Sequence, residues 1–266
     1  MTTNPNEQPA EQQAMSRLVE IGEFAGELLS RCGTRDGLNI QPGSPLAADD
    51  DLSTPCQLSF AARACILSAA DHLHAVCALV LKSGTLHLSA PATVIRGALE
   101  CASPVLWMLS PDTSDERITR GLRWYMKDMR DGYKAVTEVG APEPPPLQDA
   151  KERIKGVADV LGISSSTVHS GYQSTEVVSE AETCLDTQQR SNLLLIWRLC
   201  SGFAHGRAWP TMVFATATDK TSDPENPKVI VTKTENTYER VAMLATTAEV
   251  ALRSAVVLYD KLGTAP

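Results

Sequence analysis

Apolar residues recur every three to four positions along most of this 266-residue chain, which is the spacing of helices that bury one face. The predicted helices cover residues 10–31, 54–82, 89–109, 114–139, 147–161, 187–205 and 235–262. Before the last of them, two β-branched runs within about 211–234 flank turn-forming residues and predict a β-hairpin. We therefore expect a mainly α fold, a bundle of six or seven helices with one β-hairpin before the last helix.

Loop-forming segments and charge divide the chain into two parts. Residues 1–53 form an acidic segment in which we expect one helix and a long loop rich in Gly, Pro and Asp. Residues 54–262 are expected to form a single helical domain, with a stiff Pro-rich connector at 141–146. The net charge of −8 excludes a generally cationic protein. However, residues 1–56 hold nine acidic and three basic residues, so the nearly neutral helical body leaves room for a local polyanion site.

The seven cysteines form no metal-binding or redox motif, because no two of them lie closer than nine residues. Their number is typical of a reducing compartment, where they serve as small buried apolar side chains. The polar first residues lack the apolar core of a signal peptide, and charged residues interrupt the longest apolar stretches. We therefore expect a cytoplasmic protein with no membrane-spanning helix, no metal and no cofactor.

A narrow polar stripe runs along the helix predicted at 187–205. Arg198 and His205 are seven residues apart, which places them ~20° apart around the helix axis and two turns apart along it. Ser201 lies between them, and apolar residues fill one broad face of the helix. In a purely structural interpretation, His205 stabilises the helix end through the helix dipole, and Arg198 pairs with a carboxylate such as Glu100.

Arg198 and His205, with six residues between them, resemble the signature of the HEPN family of small helical-bundle domains, which is Arg, four to six residues, then His. Many HEPN domains are metal-independent ribonucleases that act as dimers, and others bind nucleotides or have lost activity. The resemblance implies that His205 is the general acid/base for a ribose 2′-hydroxyl and that Arg198 binds the scissile phosphate. The sequence departs from the family at Leu199, where a polar residue often follows the Arg, and at Gly202 and Gly206.

Two further polar pairs lie on helices that carry very few charges, which is typical of helices in the middle of a bundle. Arg96 and Glu100 are four residues apart, and Asp71 and His74 are three apart, so each pair shares a helix face. In a functional interpretation these four residues surround the Arg198 and His205 stripe as a supporting polar network. In the alternative, they form a mutually satisfied network that fixes how the helices pack.

Residues 154–172 resemble a helix-turn-helix, with Gly162 in the tight turn and Ser164 as the cap of the second helix. In that interpretation four residues of the second helix face the major groove of DNA. They are Ser165, Ser166, Thr167 and His169. A short amphipathic helix that ends at a glycine would give the same pattern, and the second helix carries no Lys or Arg.

A basic stripe follows the helix predicted at 114–139. Its members are three or four residues apart: Arg117, Arg120, Arg123, Lys127, Arg130 and Lys134. They form either a track for nucleic-acid phosphates or a solvated face with local ion pairs. Our leading hypothesis is a HEPN-like homodimer that binds or cleaves RNA or nucleotides without a metal. The alternatives are a DNA-binding helix-turn-helix regulator and a helical interaction protein without catalytic activity.

Overall fold

The computed structural model describes residues 7–34, 37–140, 145–185, 192–214, 216–223, 225–226, 228 and 230–266. Within these residues the chain forms eleven helices and one two-stranded sheet. The helices are α1 (Glu7–Cys32), α2 (Pro45–Ser53), α3 (Leu58–Lys82), α4 (Ala90–Leu109), α5 (Ser114–Glu138), α6 (Pro145–Val160), α7 (Ser165–Ser170), α8 (Ser174–Thr183), α9 (Leu193–Ala204), α10 (Ala208–Phe214) and α11 (Tyr238–Gly263). The strands are β1 (Thr216–Ser222) and β2 (Ile230–Glu235).

The prediction of a mainly α fold is confirmed, but the count of six or seven helices is wrong for the described part of the chain. The additional helices α2, α7, α8 and α10 have six to ten residues, too few to repeat an apolar period along one face. Helix α2 lies inside the segment predicted as a long loop. It begins after Ser44, whose Oγ accepts a hydrogen bond from the backbone N–H of Ala47 at 3.2 Å.

Helices α3 and α4 pack along each other and form the centre of the bundle. Helix α11 packs against both, α1 packs against α3 and α11, and α8 and α9 pack against α4. The prediction that charge-poor helices occupy the middle is confirmed for α3 and α4. Many of their buried residues are alanines, which let neighbouring helices approach closely. Because α1 packs against α3 and α11, it covers part of the same core, although it belongs to the acidic segment of residues 1–53.

The β-hairpin begins later than its sequence pattern predicts. Strands β1 and β2 pair antiparallel, with Thr216 opposite Glu235 and Ser222 opposite Ile230. The first β-branched residues of the predicted hairpin, Thr211 and Val213, belong to α10 instead. Helix α10 packs back onto α9, so tertiary contacts override the local preference for a strand. The hairpin itself is confirmed for strands β1 and β2.

Three helices in the described part of the chain, α3, α4 and α11, are long and apolar enough to cross a membrane by length and composition. Most of the apolar window of α4 and of α11 is buried inside the protein, whereas less than half of the α3 window is buried. The expectations of a cytoplasmic location and of no membrane-spanning helix therefore stay predictions.

The environment of the thiols gives a direct test of the fold. Desolvation by burial raises the pKa of Cys77 and Cys200 to about 12 and that of Cys101 to about 11. Burial also raises the pKa of Cys65, whereas the Cys184 side chain lies exposed after α8. Because the thiolate is the reactive form, we expect iodoacetamide at pH 8 to modify Cys184 much faster than these four. Mass spectrometry of the native and urea-unfolded protein measures this, and equal rates in the native protein would contradict the fold.

Candidate functional site

His205 terminates α9 and lies at the protein surface. The buried side of α9 includes Leu199, Cys200 and Phe203, while the side chains of Arg198 and His205 are exposed. Gly206 follows with φ of +62°, a left-handed conformation that ends the helix as the sequence predicts. Residues 187–191 of the predicted helix lie outside the described residues.

The structure brings His205 together with residues of α4. Arg96 Nη1 lies 3.2 Å from His205 Nε2, and Arg96 Nε and Nη2 donate hydrogen bonds to Glu100 Oε1 at 3.1 and 2.9 Å. Trp197 Nε1 donates to the same carboxylate oxygen at 3.2 Å. We call Arg96, Glu100, Trp197 and His205 the Arg96 cluster. A guanidinium has no acceptor atom, so His205 Nε2 must accept this hydrogen bond and therefore carries no proton in this arrangement.

Arg198 does not join the Arg96 cluster. Its side chain is exposed and makes no hydrogen bond or ion pair with any residue that the structure describes. The structural interpretation in which Arg198 pairs with Glu100 is therefore wrong, because Arg96 and the Trp197 indole bind that carboxylate. Ser201 is half-buried, and its backbone carbonyl accepts a hydrogen bond from the His205 N–H at 3.0 Å.

The other predicted pair, Asp71 and His74, lies apart from this cluster. Both side chains are exposed on α3, and neither makes a hydrogen bond to the other or to the Arg96 cluster in the described structure. The His74 ring instead lies beside Gly26 of α1. The functional interpretation that groups these two residues with Arg96 finds no contact to support it.

Sequence reasoning missed His72, whose ring packs on α4 at Gly97. A Cβ atom placed on Gly97 would lie 2.5 Å from this ring, so the missing side chain makes room for the imidazole. His72 Nδ1 lies 2.6 Å from the carbonyl oxygen of Ser68, one turn earlier on α3. The available signal was Gly97 itself, since a glycine inside an apolar helix often marks a close approach.

The first member of the basic stripe, Arg117, is buried, which corrects its assignment to a solvent-facing track. Its Nε and Nη2 donate to the two carboxylate oxygens of Asp49 at 2.6 and 3.0 Å. Its Nη1 donates to the carbonyl oxygens of Pro111 and Asp112 at 3.0 and 3.1 Å. We call Asp49 and Arg117 the buried ion pair. It joins α2 to α5 and leaves neither charge facing solvent.

Most of the remaining stripe holds neighbouring elements against α5. Arg120 pairs with Glu116 and Glu180 and donates to the carbonyl oxygen of Trp107. Arg123 donates to the carbonyl oxygen of Gly171, and Arg130 donates to that of His169. Lys127 pairs with Asp131 and lies over the Tyr172 ring. These contacts engage the cations with protein groups, so little of their charge is available to bind phosphates. The phosphate track stays a prediction.

The segment that resembles a helix-turn-helix folds into two packed helices. Gly162 has φ of +67° in the turn between α6 and α7, and Val157, Ala158 and Val168 are buried. Ser164 occupies the cap position of α7, but its Oγ bonds to Ser166 Oγ and not to the backbone. The four predicted groove-facing residues are exposed: Ser165, Ser166, Thr167 and His169.

Comparison of the chain with protein-family models, with curated proteins and with solved structures finds no match to any of the three.

Proposed function

We propose that the protein binds RNA and cleaves it without a metal at the Arg96 cluster. The observation that carries this proposal is the contact between Arg96 Nη1 and His205 Nε2 at the surface end of α9. A neutral imidazole nitrogen beside a guanidinium combines a proton acceptor with a phosphate-binding group. The spacing of Arg198 and His205, which resembles the HEPN signature, supports the same kind of substrate.

In this mechanism, His205 Nε2 removes the proton of a ribose 2′-hydroxyl. The 2′-oxygen attacks the adjacent phosphorus, and the bond from phosphorus to the 5′-oxygen breaks. The products are a 2′,3′-cyclic phosphate and a 5′-hydroxyl end, whose oxygen takes up a proton from solvent water, and the His205 imidazolium then returns its proton to solvent. Arg96 turns its Nη1 donor from the imidazole to the phosphate and stabilises the charge that develops there. Glu100 holds the guanidinium in place by accepting its hydrogen bonds, and the Trp197 indole N–H in turn donates to the Glu100 carboxylate.

An RNA-cleavage assay in the presence of EDTA tests this proposal. We expect cleavage of single-stranded RNA, with cyclic phosphate ends, and no cleavage where the 2′-hydroxyl is replaced by hydrogen. The His205→Ala protein, purified by the same protocol, controls for contaminating ribonuclease. Equal cleavage by both proteins, or cleavage of the 2′-deoxy substrate, would contradict the mechanism. If neither RNA nor DNA binds in a salt-dependent manner, a helical interaction protein becomes the better hypothesis.

A second candidate function is sequence-specific DNA binding through α6 and α7. The observation that favours it is the exposure of Ser165, Ser166, Thr167 and His169 on one short helix after a glycine turn. Helix α7 has six residues and is therefore ~9 Å long, which limits its reach into a major groove. Salt-dependent binding of duplex DNA that is lost in Thr167→Glu would support this function over the first.

A further inference from the structure

Helix α10 presents an indole to solvent beside the end of α9 that carries His205. Trp209 is 40% exposed, whereas tryptophan is on average a highly buried residue. Part of its ring packs on α9 at Gly202, where an added Cβ atom would lie 3.0 Å from Cζ2 and 3.1 Å from Cε2 of the indole. The glycine therefore lets α10 approach α9 closely. This contact holds one part of the indole against the helix and leaves the rest open to solvent.

The indole lies on the same side of α9 as two polar residues described above. Successive residues of an α-helix turn by ~100° and rise by ~1.5 Å. Arg198, Gly202 and, at the helix end, His205 therefore fall within ~60° of one another around the axis and span ~10 Å along it. The position on which the indole packs is the middle one. One side of α9 thus carries a cation, an aromatic ring and the imidazole of the Arg96 cluster, in that order.

Two arginines of this region have charge available for a ligand. Arg198 and Arg207 are exposed, and neither side chain makes a hydrogen bond or ion pair with any residue in the described part of the chain. The backbone N–H of Arg207 donates to the carbonyl oxygen of Gly202 at 2.9 Å, which ties this arginine to the end of α9. Unpaired cations near a half-exposed aromatic ring are typical of sites for single-stranded nucleic acid, because the cations attract phosphates and the ring stacks on a base.

We propose that Trp209 stacks on one unpaired base of a single-stranded RNA whose backbone follows α9 between Arg198 and the Arg96 cluster. This inference rests on the proposed function, because it places a phosphate next to that base against Arg96 and His205. A base inside a duplex is already paired and stacked between its neighbours, so the indole cannot reach its face. The substrate is therefore an unpaired segment, such as a loop or a free end. Because every base has a face that can stack, this contact selects unpaired RNA and not a particular sequence.

Fluorescence anisotropy with oligomers that cannot be cleaved tests the stacking apart from the chemistry. The probes are a short 2′-O-methyl oligoadenylate, which lacks the attacking hydroxyl, and an abasic sugar-phosphate chain of the same length and charge. We expect the full-length protein to bind the oligoadenylate about 5- to 150-fold more tightly than the abasic chain, which is the range for one stacked base. Trp209→Ala should remove most of this preference, and Trp209→Phe should keep most of it.

Two further variants serve as controls. Phe60→Ala removes another exposed aromatic ring, at the start of α3, and should leave both affinities unchanged. Arg207→Ala should weaken the binding of both oligomers by the same factor and lower the salt slope by about 0.7, since it removes a phosphate contact and no stacked base. The abasic chain also controls for folding, because a protein damaged by Trp209→Ala would bind both oligomers more weakly and keep the preference between them.

The outcomes separate this inference from the proposed cleavage. If the wild type binds both oligomers equally, or if Trp209→Ala and the wild type prefer the oligoadenylate to the same extent, the stacking is wrong even where His205 cleaves RNA. A duplex that binds as tightly as the single strand also contradicts it. A preference that depends on Trp209, in a protein that cleaves no RNA, supports the stacking and contradicts the catalytic proposal. Failure to bind either oligomer at low salt overturns both.

Discussion

Replacing Asp49 with alanine is expected to lower the free energy of unfolding by about 3–5 kcal/mol, the largest loss of stability that we predict for a single substitution. The reason is that Arg117 would remain buried without its partner, since both side chains of the pair are almost completely excluded from solvent. The Asp49 carboxylate accepts a hydrogen bond from Ser114 as well, and that donor would also lose its acceptor. Urea denaturation followed by circular dichroism at 222 nm measures the change.

The matched control is Asp51→Ala, two residues away on the same helix. The Asp51 side chain is exposed, so its loss should change stability by no more than about 0.5 kcal/mol. Replacing both members of the buried ion pair, Asp49→Leu with Arg117→Met, should recover much of the loss, because no unpaired charge then stays inside. An Asp49→Ala protein as stable as Asp51→Ala would show that the ion pair does not hold α2 against α5.

In the RNA-cleavage assay, we expect Arg96→Ala to lower kcat/KM by about 100- to 1,000-fold, as for other lost donors to a developing negative charge. His205→Ala should lower it by about 100- to 10,000-fold, since it removes the general base. Arg198→Ala should cost less than about tenfold, because that side chain is exposed and makes no hydrogen bond or ion pair with any described residue of the Arg96 cluster. The comparison separates the arginine that lies beside His205 from the one that the HEPN resemblance implies.

Unfolding midpoints of the three variants provide the control for this comparison, since Arg96 also bonds to Glu100 within the helix packing. We attribute a loss of activity to the catalytic step only where the thermal unfolding midpoint of the variant stays within a few degrees of that of the wild type. If Arg198→Ala is as damaging as His205→Ala while Arg96→Ala is nearly neutral, the catalytic arginine is Arg198. The arrangement in the Arg96 cluster would then have a structural role only.

The long helices are predictable from the sequence because each repeats its apolar face over five turns or more. Helix α4, for example, begins and ends within one residue of its predicted bounds. Helix α2 could not be predicted in the same way. Its nine residues include three consecutive aspartates, and one of them, Asp49, is inside only because Arg117 reaches it from 68 residues away. No local pattern carries information about that distant partner.

The candidate site was predictable in its parts and not in its assembly. The pair of Arg96 and Glu100 follows from a spacing of four on a helix, and the exposed end of α9 follows from His205 and Gly206. The contact between Arg96 and His205 joins residues 109 positions apart and depends on how α4 packs against α9. For the same reason, the sequence favoured Arg198, which shares a helix with His205, over Arg96, which shares a contact with it.

The buried ion pair bears on how the acidic front segment is to be studied. A protein that starts at residue 54 would lack Asp49 and would leave Arg117 unpaired inside the fold. It would also lack α1, whose buried Leu18 and Ile21 belong to the common core. Any change in RNA affinity of such a truncated protein would report partial unfolding as much as lost charge. The glutamates Glu11, Glu23 and Glu27 of α1 are exposed. Replacing them with glutamine removes negative charge from this segment while the interior stays intact.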